Sequence, residues 1–176
     1  MTVSEIWIDQ LVRCPDGRAA ERWLQTKPDL VNADAVERIN DAFAVAVTAD
    51  IEKAARLATA ARWVADRVDD PRSKAIAAKL GGHLSWLTGR YEEALERYSE
   101  AKSIFDGLHL DRDAANISLS SIQSLIYLGR YEEAAEVAAS AREVFREHDD
   151  PLGAARVDTN EANAFHRQDR PDEALR

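Results

Sequence analysis

The chain has 176 residues, enough for one ordinary domain or a short stack of repeats. It is 45% hydrophobic, much of that alanine, and it contains only 7 Gly and 5 Pro. Because alanine favours helices and glycine and proline disfavour them, the composition predicts an all-helical protein and argues against a β-sandwich or barrel. A net charge of −9 without any run of Lys or Arg argues against nucleic-acid binding.

The first residues, MTVSEIWIDQLVRC, lack the basic leader and apolar core that are typical of a secretory signal. No apolar stretch approaches the roughly 18 to 20 residues needed to cross a bilayer. Cys14 is the single cysteine, which excludes an intramolecular disulfide and a Cys-rich metal site. We therefore expect a soluble, cytoplasmic protein with no membrane partner.

The predicted elements, in chain order, are all helices. Two short ones are predicted at residues 3–13 and 17–26, on either side of a Pro-Asp-Gly turn. Gly89 is expected to end a helix, and Asp70 and Asp150, each followed by Pro, are expected to cap helices. The longer predicted helices cover about Ala35–Thr48, Ile51–Val68, Pro71–Thr88, Tyr91–Gly107, Arg112–Leu128, Tyr131–Glu147 and Leu152–Gln168, and a last one begins at Pro171.

An internal repeat runs through these helices with a period of forty residues. The segment GRYEEAL that begins at Gly89 recurs as GRYEEAA at Gly129, and DRPDEAL from Asp169 and IEKAA from Ile51 keep the same phase. Such a period predicts a stack of helical hairpins. The predicted organisation is an N-terminal helical cap over residues 1–33 and a repeat array over 34–176, with units of about 34–70, 71–110, 111–150 and an incomplete 151–176.

The predicted core follows the same phase. Ala94, Tyr98, Ala101 and Phe105 fall on one face of the second helix of their unit, where alanine allows a close helix approach. One hairpin cannot bury such a face alone, so neighbouring hairpins are expected to stack. Core positions of the first helices are predicted at Ala77, Ile117 and Val157, at Gly82, Ile122 and Ala162, and at Ser85, Leu125 and Phe165.

One pattern in the chain resembles the tetratricopeptide repeat (TPR). It consists of a small residue at Gly82, a fixed alanine twelve positions later at Ala94, and then Tyr98 and Ala101. Residues 34–176 fit this pattern, although the usual period of the family is about 34 residues. The longer units resemble those of bacterial multi-repeat regulators and of kinesin light chains. The resemblance implies an all-α, right-handed α-solenoid whose concave groove binds a protein or peptide.

A second resemblance is carried by RWL from Arg22, PDLV from Pro28, RYEEA from Arg130 and HRQDR from His166. These strings are similar to the N-terminal region of bacterial TPR proteins that end in a CHAT domain, a caspase-like peptidase. No residue here matches the His/Cys dyad of that domain, so no catalytic residue is implied. Since the helix that begins at Pro171 is cut short, we expect the protein to continue beyond residue 176.

The groove positions of the TPR family change from apolar to polar and cationic along this chain. That order predicts an extended peptide partner with an apolar segment followed by carboxylates. Trp86 and Tyr127 are the candidate anchors, and Asn163 with Arg167 is a candidate carboxylate site. The alternatives are that Trp86 and its apolar neighbours pack in the core and that the polar pair is solvated surface. The predicted groove residues are Ile76, Lys79, His83, Trp86, Leu87, Asn116, Leu119, Gln123, Ile126, Tyr127, Arg156, Thr159, Asn163, His166 and Arg167.

The histidines and the cysteine, residue types that often bind metals or act in catalysis, show no spacing typical of such a site in this sequence. The four histidines (His83, His109, His148 and His166) fall in different units, without the spacing of metal ligands on one helix. Cys14 is interpreted as a small buried apolar residue rather than a nucleophile. We expect no metal, no cofactor and no catalytic residue in this chain.

The acidic pairs Asp111/Asp113 and Asp149/Asp150 precede predicted helices, where capping explains them. The sequence thus predicts a protein-interaction scaffold rather than an enzyme, as the N-terminal regulatory part of a larger bacterial protein whose own C-terminal domain is one possible partner. The alternative is a stand-alone sensor of a signalling peptide or small ligand.

Overall fold

The computed structural model describes the backbone of residues 6–167 and the side chains as far as residue 163. Within that range the regular elements are helical, which confirms the all-α class. Two short helices and a 3₁₀ turn at Pro28–Leu30 precede a series of longer helices. The α-helices are α1 Ile6–Leu11, α2 Gly17–Gln25, α3 Ala33–Ala46, α4 Ile51–Ala65, α5 Pro71–Leu87, α6 Tyr91–Gly107, α7 Asp111–Tyr127, α8 Tyr131–Glu147 and α9 Pro151–Arg167.

The chain divides into two compact units, Met1–Leu84 and Ser85–Arg176. The first contains α1 to α4 and most of α5, and the second contains the end of α5 and α6 to α9. The predicted boundary between a cap and a repeat array at residues 33 and 34 falls inside the first unit. That boundary stays a prediction.

In the first unit, α3 packs against α4. The contact face of α3 is formed by Val36, Ile39 and Phe43, which are at most 3% exposed. Their spacing of three and four residues places them on one side of the helix. Leu57 and Val64 of α4 are fully buried, and the alanines between them keep that helix thin enough for a close approach.

In the second unit, α7 is packed between α6 and α8. The predicted core face of α6 is confirmed, since Ala94, Tyr98, Ala101 and Phe105 are no more than 2% exposed. On α8 the corresponding face is Ala134, Ala138, Ala141 and Phe145, also no more than 2% exposed. Burying one phenylalanine contributes about 1.5–3 kcal/mol, so each of these faces is a substantial source of stability.

The remaining predicted core positions can be compared directly with the structure. Ala77, Ile117, Val157, Gly82, Ile122, Ser85 and Leu125 are buried as expected. Ala162 is only partly buried, and the side chain of Phe165 lies outside the described residues.

Four turns between helices in the range 85–150 share one geometry. Gly89, His109, Gly129 and Asp149, spaced at intervals of twenty residues, all have positive φ, between 49° and 75°. In each turn the next N–H donates to the carbonyl five residues earlier, as Arg90 does to Ser85 and Leu110 to Phe105, each at 2.8–3.0 Å. This is the 6→1 bond of a Schellman helix end. The sequence predicts the glycine turns, but not the left-handed His109 and Asp149.

The two Asp-Pro pairs cap helices as predicted. Asp70 accepts hydrogen bonds from the Ser73 N–H and hydroxyl, and Asp150 accepts one from the Gly153 N–H at 2.9 Å. The Ser73 hydroxyl is the main reason that the pKa of Asp70 is lowered. The Gly153 N–H, followed by Arg112, lowers the pKa of Asp150.

The capping interpretation of the other acidic residues was wrong. Asp111 and Asp113 lie in the first turn of α7, where Leu110 occupies the cap position without a side-chain hydrogen bond. Asp149 is the left-handed residue of the preceding turn. A negative charge in the first turn still interacts favourably with the helix dipole, although it does not bond the free N–H groups as a cap does.

No helix within the described residues combines the length and the apolar character that a membrane span requires.

Candidate partner-binding face

The polar face shared by α7 and α9 gathers several of the predicted groove residues. Asn116 and Gln123 are two turns apart on α7, and Arg156 lies opposite them near the start of α9. A shallow cleft of about 290 Å³ runs between the two helices. The described residues that line it are Leu119, Ser120, Gln123, Arg156, Thr159 and Asn160.

Two amide side chains connect the helices across this cleft. The Gln123 Nε2 group donates to Asn160 Oδ1 at 2.6 Å, and Asn160 Nδ2 donates to the Leu119 carbonyl at 3.3 Å. Both side chains are half-buried. The bonds fix the positions of α7 and α9 relative to each other at the middle of the cleft, so the cleft has a defined shape.

A second cleft adjoins the first and shares Arg156 with it. Arg112, Asp113, Asn116, Asp150, Leu152 and Gly153 complete its described lining. Arg112 is engaged there, because its guanidinium donates twice to Asp150 Oδ2, at 2.6 and 2.9 Å. Leu152 adds an apolar side chain that is 72% exposed.

Arg156 differs from the other arginines of this face. It donates a long hydrogen bond of 3.4 Å to Asn116 Oδ1 and forms no ion pair with any described carboxylate, although its charge helps to lower the pKa of the nearby Asp150. Arg112 and Arg142 are both paired, Arg142 with Asp158 and Glu161. Arg146 also forms no ion pair with a described carboxylate, but of these two exposed arginines Arg156 is the one that lines both clefts.

An aromatic group lies at the other end of α7. Tyr127 stacks on Tyr91 with ring centroids 4.6 Å apart, and Trp86 meets Tyr127 edge-on at 6.3 Å. Tyr127 is 41% exposed, so it is accessible as the predicted anchor. Trp86 is half-buried, and its Nε1 atom is buried without a hydrogen-bond partner among the described residues. Its packing is closer to the core alternative.

Lys79 and His83 belong to the first unit and interact with α3. The Lys79 Nζ group donates to Asn40 Oδ1 at 2.7 Å, and the His83 ring stacks on Phe43 with centroids 6.1 Å apart. Both side chains are half-buried. These contacts place both residues on a face formed by α3 and α5 in the first unit.

Three apolar members of the predicted groove are not exposed. Ile76 and Leu119 are 3% exposed and Ile126 is 2% exposed, so their side chains pack in the core, although Leu119 also borders the α7–α9 cleft. Helices packed on more than one side have no fully exposed apolar stripe. For this reason, apolar residues at the groove positions of the TPR family are buried in this chain. Leu87 is half-buried and Asn163 is exposed. The side chains of His166 and Arg167 lie outside the described residues.

Sequence reasoning missed Ser120 and Asn160. Ser120 lies between Asn116 and Gln123 on one side of α7, and Asn160 lies one turn after Arg156, so helical spacing from the predicted groove residues is the signal that would have found them. Thr159 was in the wider predicted set, and its hydroxyl donates to the Ala155 carbonyl of its own helix at 2.9 Å.

No family model matches the chain, and no curated protein matches it. Among solved structures, the chain is similar to BtubC (BKLC) from P. vanneervenii, with 24% sequence identity and a TM-score of 0.69. The similarity covers 99% of this chain and 71% of that one. The likeness shows the fold alone.

Proposed function

We propose that the chain is a right-handed α-solenoid of TPR-like hairpins with a forty-residue period. Two observations support this proposal. The left-handed turn residues recur every twenty residues, which is the spacing of two equal helices per hairpin. The buried faces of α6 and α8 are built from residues forty positions apart, including Ala94 with Ala134 and Phe105 with Phe145.

Its function, we propose, is to bind a peptide or protein partner on the α7–α9 face. The observation that carries the proposal is the position of Arg156 between two clefts, where its guanidinium forms no ion pair with a described carboxylate. A planar guanidinium binds carboxylates with two parallel hydrogen bonds, and one that no described carboxylate pairs with is available for a ligand. We propose no catalytic step for these residues.

The distance between the two ends of the face defines the partner further. Arg156 meets α7 at Asn116, and the exposed Tyr127 lies eleven residues along the same helix. At 1.5 Å per residue this separation is roughly 16 Å. An extended peptide covers about 3.3 Å per residue, so the partner would carry a carboxylate roughly five residues from an apolar or aromatic side chain.

A selection with the immobilised chain tests this proposal. The probe is an encoded library of random twelve-residue peptides, and retained peptides are resynthesised for affinity measurement. We expect them to contain a carboxylate and to lose about tenfold or more in affinity to Arg156→Gln, because a charge-assisted bond contributes about 1.5–3 kcal/mol.

The matched control is Arg146→Gln, which removes the same charge from an exposed position on α8. Its effect on affinity should stay below about twofold, in line with the small contribution of exposed charges. Equal binding by the Arg156→Gln protein, with its helical circular dichroism intact, would move the binding site away from this face.

The association with a CHAT peptidase remains a prediction from the sequence resemblance. If the repeats form the regulatory region of such a protein, partner binding on the α7–α9 face would alter how they contact the peptidase. Sequencing the reading frame beyond residue 176 for a spaced His and Cys tests that prediction independently of binding.

A further inference from the structure

The hydroxyls and amides of the α7–α9 cleft leave several hydrogen-bond acceptors without a donor from the described residues. The Ser120 hydroxyl donates to the Asn116 carbonyl at 3.1 Å, and the Thr159 hydroxyl donates to the Ala155 carbonyl at 2.9 Å. Each hydroxyl has only one hydrogen to donate, and here its own helix accepts it. Towards the cleft, both oxygens are therefore left only with lone pairs.

The amides of the cleft add a further acceptor. One N–H of Gln123 is used on Asn160, and one N–H of Asn160 is used on the Leu119 carbonyl, so each amide keeps its second N–H as a donor for a peptide carbonyl. The Gln123 Oε1 atom receives no hydrogen bond from the described residues. An amide oxygen accepts up to two hydrogen bonds, so this atom adds to the acceptors that face the cleft.

We propose that this acceptor surface selects partners through their main-chain N–H groups, while Arg156 takes their carboxylate. An extended peptide offers N–H donors along its length, which complements the oxygens of Ser120, Gln123 and Thr159. An ammonium group would satisfy the same oxygens, but the positive charge of Arg156 in the same lining disfavours it. The inference rests on the proposed function, since it assigns the chemistry that the same face recognises.

The test compares two probe libraries on the immobilised chain. One contains acidic eight-residue peptides, and the other contains oligomers of N-substituted glycines with the same side chains, which have no main-chain N–H. We expect the peptides to bind at least tenfold more tightly than the matched N-substituted oligomers. Equal affinity of the two kinds of oligomer, with both dependent on Arg156, would overturn the inference and leave the proposed function standing.

A variant of the protein makes the test specific to one acceptor. Thr159→Val keeps the shape of the side chain and removes its oxygen, so the preference for peptides should fall by about 2- to 10-fold. The control is Thr59→Val, because Thr59 donates in the same way to the Ala55 carbonyl but lies on α4. An unchanged preference in Thr159→Val contradicts the inference, and the absence of any Arg156-dependent binding contradicts both proposals.

Discussion

At the scale of single residues, the contact between α8 and α9 depends on a position without a side chain. A Cβ atom added at Gly153 would lie 2.4 Å from Cδ1 of Phe145, well inside the distance at which carbon atoms repel each other. Phe145 is fully buried, so its ring has little room to move away. Gly153 therefore has a packing role that its place in the first turn of α9 does not reveal.

Gly153→Ala should lower the free energy of unfolding by about 1–3 kcal/mol, the usual cost of overpacking a core. Chemical denaturation followed by circular dichroism measures this change. The control is Gly107→Ala, since nothing lies within 4 Å of the added Cβ and alanine is the better helix former. If both variants are equally stable, the close approach of α9 to Phe145 is not present in solution.

For Arg156 and the amides of the cleft, the sequence predicts which residues share a face but not which of them form hydrogen bonds. Asn116, Gln123 and Arg156 were predicted from the sequence as groove residues, and the structure brings them to one face. Gln123 and Asn160 are thirty-seven residues apart, and the hydrogen bond between them depends on the register of α7 against α9. A repeat period does not determine that register to within one residue, so their partnership was not predictable.

At the scale of the elements, the limits of the long helices were largely predictable. The bounds predicted for α6 and α8 agree with the structure, because tyrosine and acidic residues open both helices and the apolar periodicity stops at the turn. Helix α4 ends at Ala65, three residues before the predicted Val68. The Asn32 cap and the 3₁₀ turn at Pro28–Leu30 were missed, because the sequence before α3 has no strong breaker beyond a single proline.

The turns between helices provide a prediction of their own. Gly129 has a φ of 72° and open space around an added Cβ, so the cost of a side chain there is conformational. Gly129→Ala should lower the free energy of unfolding by about 1–2 kcal/mol, the penalty of the left-handed region. Thermal unfolding measures it, and a neutral result would mean that the turn adopts another conformation.

Asp149 supplies the comparison for Gly129, because it occupies the equivalent turn position with a φ of 49°. Glycine has no penalty in this region, so Asp149→Gly should raise the melting temperature slightly or leave it unchanged. A marked fall in stability would show that the aspartate side chain makes a contact that compensates its strain.

The two capped helices predict how stability changes with pH. The folded-state pKa values of Asp70 and Asp150 are both below the usual value of about 3.9. Their ionised forms therefore stabilise the folded state above the unfolded pKa, and this contribution is lost as the pH falls through the lowered folded pKa. Denaturation midpoints should decrease on acidification in that window.

Replacing both aspartates with asparagine keeps a capping oxygen and removes the titration. The double variant Asp70→Asn/Asp150→Asn should show a shallower loss of stability on acidification than the unaltered protein. Asp41→Asn, at an exposed position on α3 that caps no helix, serves as the control and should leave the slope unchanged. An identical slope in all three proteins would contradict the role of the caps.

At the scale of the whole molecule, the sequence predicted the all-α class from composition and helical periodicity. The prediction that Ile76, Leu119 and Ile126 form the exposed apolar part of the groove was wrong, since all three side chains are buried. The predicted groove residues also fall in both compact units, with Lys79 and His83 in the first and the α7–α9 face in the second. When the groove positions of the TPR family are placed on this chain by its repeat period, they fall on the expected helix. Whether a side chain at such a position is exposed depends on which neighbouring helices pack against it.

The measurement that tests the binding face most directly is a map of backbone amide chemical shifts on adding a selected acidic peptide. We predict that the amides that shift lie on α7 and α9, near Asn116, Gln123 and Arg156, and that Arg156→Gln removes the changes. Shifts confined to the outer, acidic faces of α6 and α8, or a map that Arg156→Gln leaves unaltered, would contradict the account.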